Sequence, residues 1–143
     1  MVAPLQVTGT SAGGSLPSGD ATVTAKDFTY TVDGGPVAAG AHTFTFTNQG
    51  PQPHEAGIIK VNSGTTVDQI RAIFAAPPAS PAPQGPPPWT DVGGSGGIAP
   101  GATTTFTATL DAGATYAFIC FIPDPTTGKP HAALGMVVQI PTK

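Results

Sequence analysis

Four side chains in this 143-residue sequence carry donor atoms suited to one soft transition-metal ion, and three of them fall in its last quarter. Cys120 is the only cysteine; His131, one of three histidines, and Met136, one of two methionines, follow it in that order. A second imidazole has to come from upstream, and His54, in Pro51-Gln52-Pro53-His54-Glu55, is the candidate. A thiolate and two imidazoles in a trigonal set, with a weakly held thioether on the axis, describe a mononuclear blue-copper electron-transfer centre. The thiolate is soft and covalent enough to stabilise Cu(I), the imidazoles suit both oxidation states, and the thioether tunes the potential. Taken singly, a lone cysteine or methionine reads as core packing. Their joint occurrence, beginning at a strand end in a chain poor in all three residue types, is what points to a metal.

The elements that must position these residues are strands. Ala41 to Thr47 alternates aromatic and threonine at period two, the mark of a half-buried strand. His42 shares its aromatic face but opens the strand, so it reads as an edge residue facing solvent and not as a ligand. Asn48-Gln49-Gly50-Pro51 ends that strand and puts His54 in the loop beyond it, where binding residues are carried on a rigid scaffold. A first strand is expected from Ala21 to Ala25, continuing irregularly through Phe28 and Tyr30 to Val32. Gly57 to Val61 reads as a short strand, Thr103 to Leu110 as another, and Thr115 to Cys120 as one with Tyr116, Phe118 and Cys120 on a shared face. The last runs from about Gly135 to Ile140. If the strand ending at Cys120 pairs antiparallel with the one beginning near Met136, the loop bearing His131 joins them and all three residues lie at one pole.

Between these strands lie one helix and two irregular stretches. Thr66 with Gln69 three residues later forms a capping box, and Val67, Ile70, Ile73 and Phe74 make an apolar stripe that stops before Pro77. Residues 77–88 contain seven prolines and read as a stiff surface loop, with Trp89 as its packing anchor, in preference to a partner-binding polyproline stretch. Gly93-Gly94-Ser95-Gly96-Gly97 lacks the lysine and Ser/Thr of a phosphate loop and reads as a flexible turn.

Composition narrows the class. Charged residues make up 9%, the net charge is −3, and 19 glycines and 17 prolines punctuate the chain, which fits a turn-rich all-β protein. The length suits one domain with a real core. Residues 1–19 read as a flexible N-terminal arm and residues 20–143 as the copper-binding domain. The five basic residues, Lys26, Lys60, Arg71, Lys129 and Lys143, form no stripe that could follow phosphates, which excludes nucleic acid as a partner. No stretch is long enough to span a bilayer as a helix. The eight acids are scattered, and no nucleophile with its base stands out, so no enzyme is expected.

The segment Tyr116 to Cys120, the loop to His131, Met136, and Asn48 to His54 upstream together resemble the cupredoxins, the plastocyanin and azurin group of type 1 copper proteins. The resemblance covers roughly residues 21–140 and is weakest at the helix and the proline-rich loop. It implies a Greek-key β-sandwich holding one copper, cycling between Cu(I) and Cu(II), on His54, Cys120, His131 and Met136. It also implies one-electron transfer to a transient redox partner protein, as a monomer in the periplasm or outside the cell, with a signal peptide removed. Electrons would then pass through the His131 ring edge, with Ala132, Ala133 and Leu134 beside it as a small apolar docking patch. Two features depart from the small members of the family: ten residues separate Cys120 from His131, and Glu55 follows the upstream histidine. Its carboxylate is expected to favour Cu(II) and lower the potential. A copper carrier or sensor, or a metal-free sandwich serving adhesion or assembly, are the competing readings.

Overall fold

The structure is a computed structural model and describes residues 14–76 and 85–143. Most of the expected arm (residues 1–13) and of the proline-rich loop (77–84) lies outside the described residues. Residues 14–19 are exposed and form no helix or strand. The chain joins the sheet at Asp20, which exchanges hydrogen bonds with Thr43 through its peptide N–H (2.7 Å) and its carboxylate (2.8 Å).

Eight strands form two four-stranded sheets packed as a Greek-key sandwich. The first sheet has the order β2-β1-β3-β6, built from β1 (Ala21–Lys26), β2 (Thr29–Asp33), β3 (Gly40–Asn48) and β6 (Thr103–Leu110). The second has the order β5-β4-β7-β8, built from β4 (His54–Val61), β5 (Trp89–Ile98), β7 (Thr115–Ile119) and β8 (Val137–Gln139). β1 runs parallel to β3; every other pair is antiparallel. Period-two alternation sends Phe44 and Phe46 inward from β3, while the threonines between them keep partial access to water. Phe44 stacks on Phe106 at 5.4 Å and meets the edge of Phe118 at 5.6 Å, which fills the gap between the sheets.

The run Tyr116 to Cys120 is buried on both faces, and this explains why it reads as continuous apolar sequence. Tyr116, Phe118 and Cys120 point into the sandwich; Ala117 and Ile119 join Ile59, Val61, Val67, Ile70, Ala132 and Val137 in a second core on the other side. The helix α1 (Val67–Ala75) covers that outer face, with the capping box between Thr66 and Gln69 formed as expected. Arg71 ties the helix to the Val137 carbonyl at 2.7 Å, just beyond Met136. Ile73, placed in the apolar stripe by its spacing, is instead exposed, because the second core ends at Ile70 and Phe74.

Two expectations are corrected. The segment from Ala21 to Val32 is a hairpin and not one irregular strand: β1 and β2 pair antiparallel, and the chain reverses at Asp27 and Phe28. The glycine run 93–97 is no turn but the middle of β5, paired with β4 from Ala56 to Ile58. A Cβ on Gly94 would collide with the Ala56 carbonyl oxygen, so glycine is what allows the two backbones to approach. His54 correspondingly opens β4 and does not sit in a free loop.

Phe44→Ala is expected to lower the unfolding free energy by about 3–5 kcal/mol. Chemical denaturation read by circular dichroism should show a lower midpoint with an unchanged slope.

Candidate metal centre

β7 ends one residue before Cys120, and backbone hydrogen bonds weave the residues around it together. The Cys120 N–H donates to the Met136 carbonyl (3.2 Å), the Ala132 N–H to the Cys120 carbonyl (2.8 Å), the His131 N–H to the Ile122 carbonyl (2.9 Å) and the Met136 N–H to the His131 carbonyl (3.0 Å). Cys120, His131 and Met136 are therefore fixed to one another by main chain before any side-chain contact is counted. His131 opens a short 3-10 helix, His131–Leu134, whose Ala132 packs into the core beneath α1.

The long connection from Cys120 to His131 does not push the histidine away. Pro123 bridges to Pro130, and the residues between them close on themselves: Asp124 accepts from the Thr127 N–H (2.8 Å) and hydroxyl (2.7 Å), and its own N–H donates to the Lys129 carbonyl (2.8 Å). The extra length thus becomes a separate turn. Those Thr127 hydrogen bonds hold the Asp124 carboxyl below the usual carboxylate range.

His54 arrives from the other side, as the first residue of β4 after a loop pinned by buried Asn48. The Asn48 amide donates to the carbonyls of Gln52 (2.8 Å) and Ile98 (3.0 Å), and its oxygen accepts from the Gly50 N–H (2.9 Å). Glu55 then fastens this loop to the cysteine end of β7. Its carboxylate accepts the Phe121 N–H at 2.5 Å, and its carbonyl accepts the buried Tyr30 hydroxyl. Burial pushes the Cys120 thiol above its ordinary range, and the backbone N–H groups of Glu55 and Ile122 beside it oppose that rise.

These elements bring His54, Cys120 and His131 together with ligand atoms within 4.8 Å of one another, all fully buried. His54 Nδ1 lies 3.0 Å from His131 Nδ1, which lies 3.4 Å from Cys120 Sγ. A first-row ion takes imidazole nitrogen at about 2.0 Å and thiolate sulfur at about 2.3 Å. Donors sharing one ion at ordinary angles then stand roughly 3–4 Å apart, the range in which His131 Nδ1 meets both His54 Nδ1 and Cys120 Sγ. Met136 is fully buried beside them in the hydrogen-bonded main chain. His42 takes no part: its Nε2 lies 2.8 Å from the Ala38 carbonyl oxygen and its Nδ1 3.5 Å from the Asp20 carboxylate.

Both imidazoles turn Nδ1 inward and Nε2 outward to an acceptor. His54 Nε2 lies 2.6 Å from Asp27 Oδ1, and His131 Nε2 lies 3.2 Å from Gln52 Oε1. Gln52 is oriented by its own N–H group, which donates to Asp124 at 3.1 Å. Counting protons shows what this pattern needs. Two neutral imidazoles and a thiol carry three donor hydrogens, whereas there are four contacts: two at the outer nitrogens, one between the Nδ1 atoms and one from sulfur to nitrogen. A cation at the centre removes the need for the two inner hydrogens and leaves both outer N–H groups free to donate, so the residues present fit a metal ion. Asp27 and Gln52 have no signature in the sequence. Gln52 is close to His54 in the chain but carries no motif, and Asp27 reaches the site only because β1 and β2 form a hairpin.

The structure corrects one detail of the expected electron path. The His131 ring is fully buried, with its outer nitrogen beneath the half-buried Gln52 side chain, and Ala132 is buried in the core, so neither forms an exposed docking patch. Ala133 and Leu134 are half-buried, and Phe121, next to Cys120 in the chain, is 40% exposed.

No family model and no curated protein matches the sequence. Among solved structures, the chain is similar to dithionite-reduced auracyanin from the photosynthetic bacterium Roseiflexus castenholzii: 26% identity, TM-score 0.50, covering 85% of this chain and 94% of that one. It is also similar to auracyanin B, with 18% identity, a TM-score of 0.51 and coverage of 85% and 86%. A histidine-to-methionine variant of rusticyanin matches at 21% identity and TM-score 0.50, over 85% of this chain and 76% of that one.

Burial and the neighbouring His54 hold the His131 imidazole below its ordinary range in the folded protein. In unfolded chain it takes a proton near pH 6.5. The unfolded state then binds more protons as pH falls through that value, so stability of the metal-free protein should decline below about pH 6.5 and the decline should level off once folded His131 also protonates. Thermal unfolding of metal-free protein across that range, with an NMR titration of His131, checks both sign and window.

Proposed function

We propose that this chain is a cupredoxin, a mononuclear type 1 copper protein that carries single electrons between redox partners. The observation that carries the proposal is the convergence of His54 Nδ1, His131 Nδ1 and Cys120 Sγ, fully buried and one proton short of satisfying their own contacts. His54 and His131 would supply the two imidazoles, Cys120 the thiolate and Met136 a thioether. Bound copper supplies a one-electron couple between Cu(II) and Cu(I).

The chain's own residues do the rest. The Glu55 and Ile122 N–H groups beside the Cys120 sulfur moderate its charge. The backbone bonds among Cys120, His131 and Met136, and the closed turn between Pro123 and Pro130, keep the donors in place whatever the charge at the centre. Small rearrangement on gaining or losing an electron favours fast transfer. Burial excludes water from the thiolate. Electrons would enter or leave past His131 and Gln52, where one side chain separates the ring from solvent, or past Phe121. A transient redox partner needs only a small contact of the kind weak electron-transfer encounters make. Work outside the cytoplasm, as a monomer, belongs to the same reading, in which a metal occupies the otherwise unpaired thiol.

Copper-loaded protein is expected to show an intense visible sulfur-to-copper charge-transfer band that bleaches on reduction and returns on oxidation without loss of metal. Cys120→Ala should abolish the band, and Met136→Leu should keep it while moving the potential. A folded protein that takes up copper with no such band, or that releases copper at each reduction, contradicts an electron carrier and favours a copper carrier.

Glu55→Gln keeps an acceptor for the Phe121 N–H and removes a negative charge near the site. Its reduction potential, read by redox titration of the same band, should rise; an unchanged value would refute the role given to that carboxylate.

A further inference from the structure

The turn between β1 and β2 contributes a group that the ligand set leaves out. Asp27 Oδ1 lies 2.6 Å from His54 Nε2; the His54 side chain is fully buried and that of Asp27 is 22% exposed. The contact is built into the fold. Gly50 passes directly over it, and a Cβ there would fall 2.5 Å from the carboxylate oxygen and 2.7 Å from the imidazole nitrogen. Gly50 is thus glycine for space: its φ lies outside the left-handed region that favours glycine, and its N–H is held by Asn48. The two imidazoles also have unlike partners. His131 meets a neutral amide oxygen of Gln52, whereas His54 meets a carboxylate.

We propose that Asp27 is a positioning residue for His54: it holds the proton on Nε2, so that Nδ1 faces the ion bare, and it makes that imidazole the more electron-rich of the pair. The proposal rests on the copper reading above. A carboxylate accepting from the outer nitrogen fixes a ligating imidazole's tautomer and ring orientation and raises its basicity. A more basic imidazole stabilises Cu(II) more than Cu(I), so Asp27 lowers the reduction potential. Removing such an outer partner typically costs about 10–100-fold in metal affinity.

The test compares wild type with Asp27→Asn, Asp27→Ala and Gly50→Ala. The first readout is nitrogen-15 NMR of the metal-free protein, which locates the His54 proton. Wild type should carry it on Nε2, and Asp27→Ala should lose that preference. The second is Cu(II) and Cu(I) affinity by chelator competition, with the potential measured in parallel. Asp27→Ala should lose about 10–100-fold in Cu(II) affinity and less in Cu(I) affinity. Each tenfold loss confined to Cu(II) raises the potential by about 59 mV. Asp27→Asn keeps an acceptor and should retain the tautomer while still raising the potential. Gly50→Ala, by displacing the carboxylate, should shift affinity and potential as Asp27→Ala does.

A bare Nε2 in wild type overturns the proposal, as does a potential unchanged in Asp27→Asn. Should Asp27→Ala fail to fold, the potential of Asp27→Asn decides between the two outcomes. Should wild type take up no copper, the electron-carrier reading fails, while the position of the His54 proton still decides what Asp27 does.

Discussion

Two imidazole nitrogens 3.0 Å apart in the buried interior, with a thiol sulfur 3.4 Å from one of them, are the constraint around which this sandwich is built. Three polar donors brought this close without enough hydrogens to link them cost folding free energy, because each buried lone pair without a partner loses its hydration. The cost is met by surroundings that leave the donors no other arrangement. Asn48 fixes the loop before His54, main-chain bonds join Cys120, His131 and Met136, and Glu55 clips one side to the other. Among the described residues no buried side-chain nitrogen or oxygen lacks a hydrogen-bonding neighbour, so the shortage of hydrogens falls on the contacts among these three groups.

Rigidity at this pole comes from layers that do separate jobs. The aromatic stack of Phe44, Phe106 and Phe118 sets the spacing between sheets. The second core under α1 immobilises β7 and β8 from outside, so that Cys120 and Met136 are held from both faces. The closed turn from Pro123 to Pro130 absorbs the length of the connection and, through Asp124 and Gln52, supports the outer nitrogen of His131. The ring therefore meets solvent through one side chain, an arrangement that shields the centre without isolating it.

Much of this is legible in the sequence because strand periodicity and ligand chemistry coincide. Tyr116, Phe118 and Cys120 share a face at period two, the pairing of β7 with β8 follows from two apolar runs joined by a loop, and the order Cys, His, Met sits at their common end. The capping box of α1 is equally plain, since its contacts are local. What the sequence hides depends on backbones meeting across the fold. The reversal at Asp27 and Phe28 has no glycine or Asn-Gly to announce it, so the hairpin that delivers a carboxylate to His54 looks like one ragged strand. The run from Gly93 to Gly97 looks like a turn because glycine's use there, close approach to β4, shows only when the neighbour is in place. Gln52 and Ala132 escape for the same reason: whether a side chain caps a ring, packs in a core or faces water is a tertiary fact.

That His54, Cys120 and His131 share one ion is tested most directly by X-ray absorption at the copper edge of the loaded protein. One short sulfur at about 2.3 Å and two nitrogens at about 2.0 Å are the expected shell. A shell made of nitrogen and oxygen alone, with no sulfur at bonding distance, would contradict it.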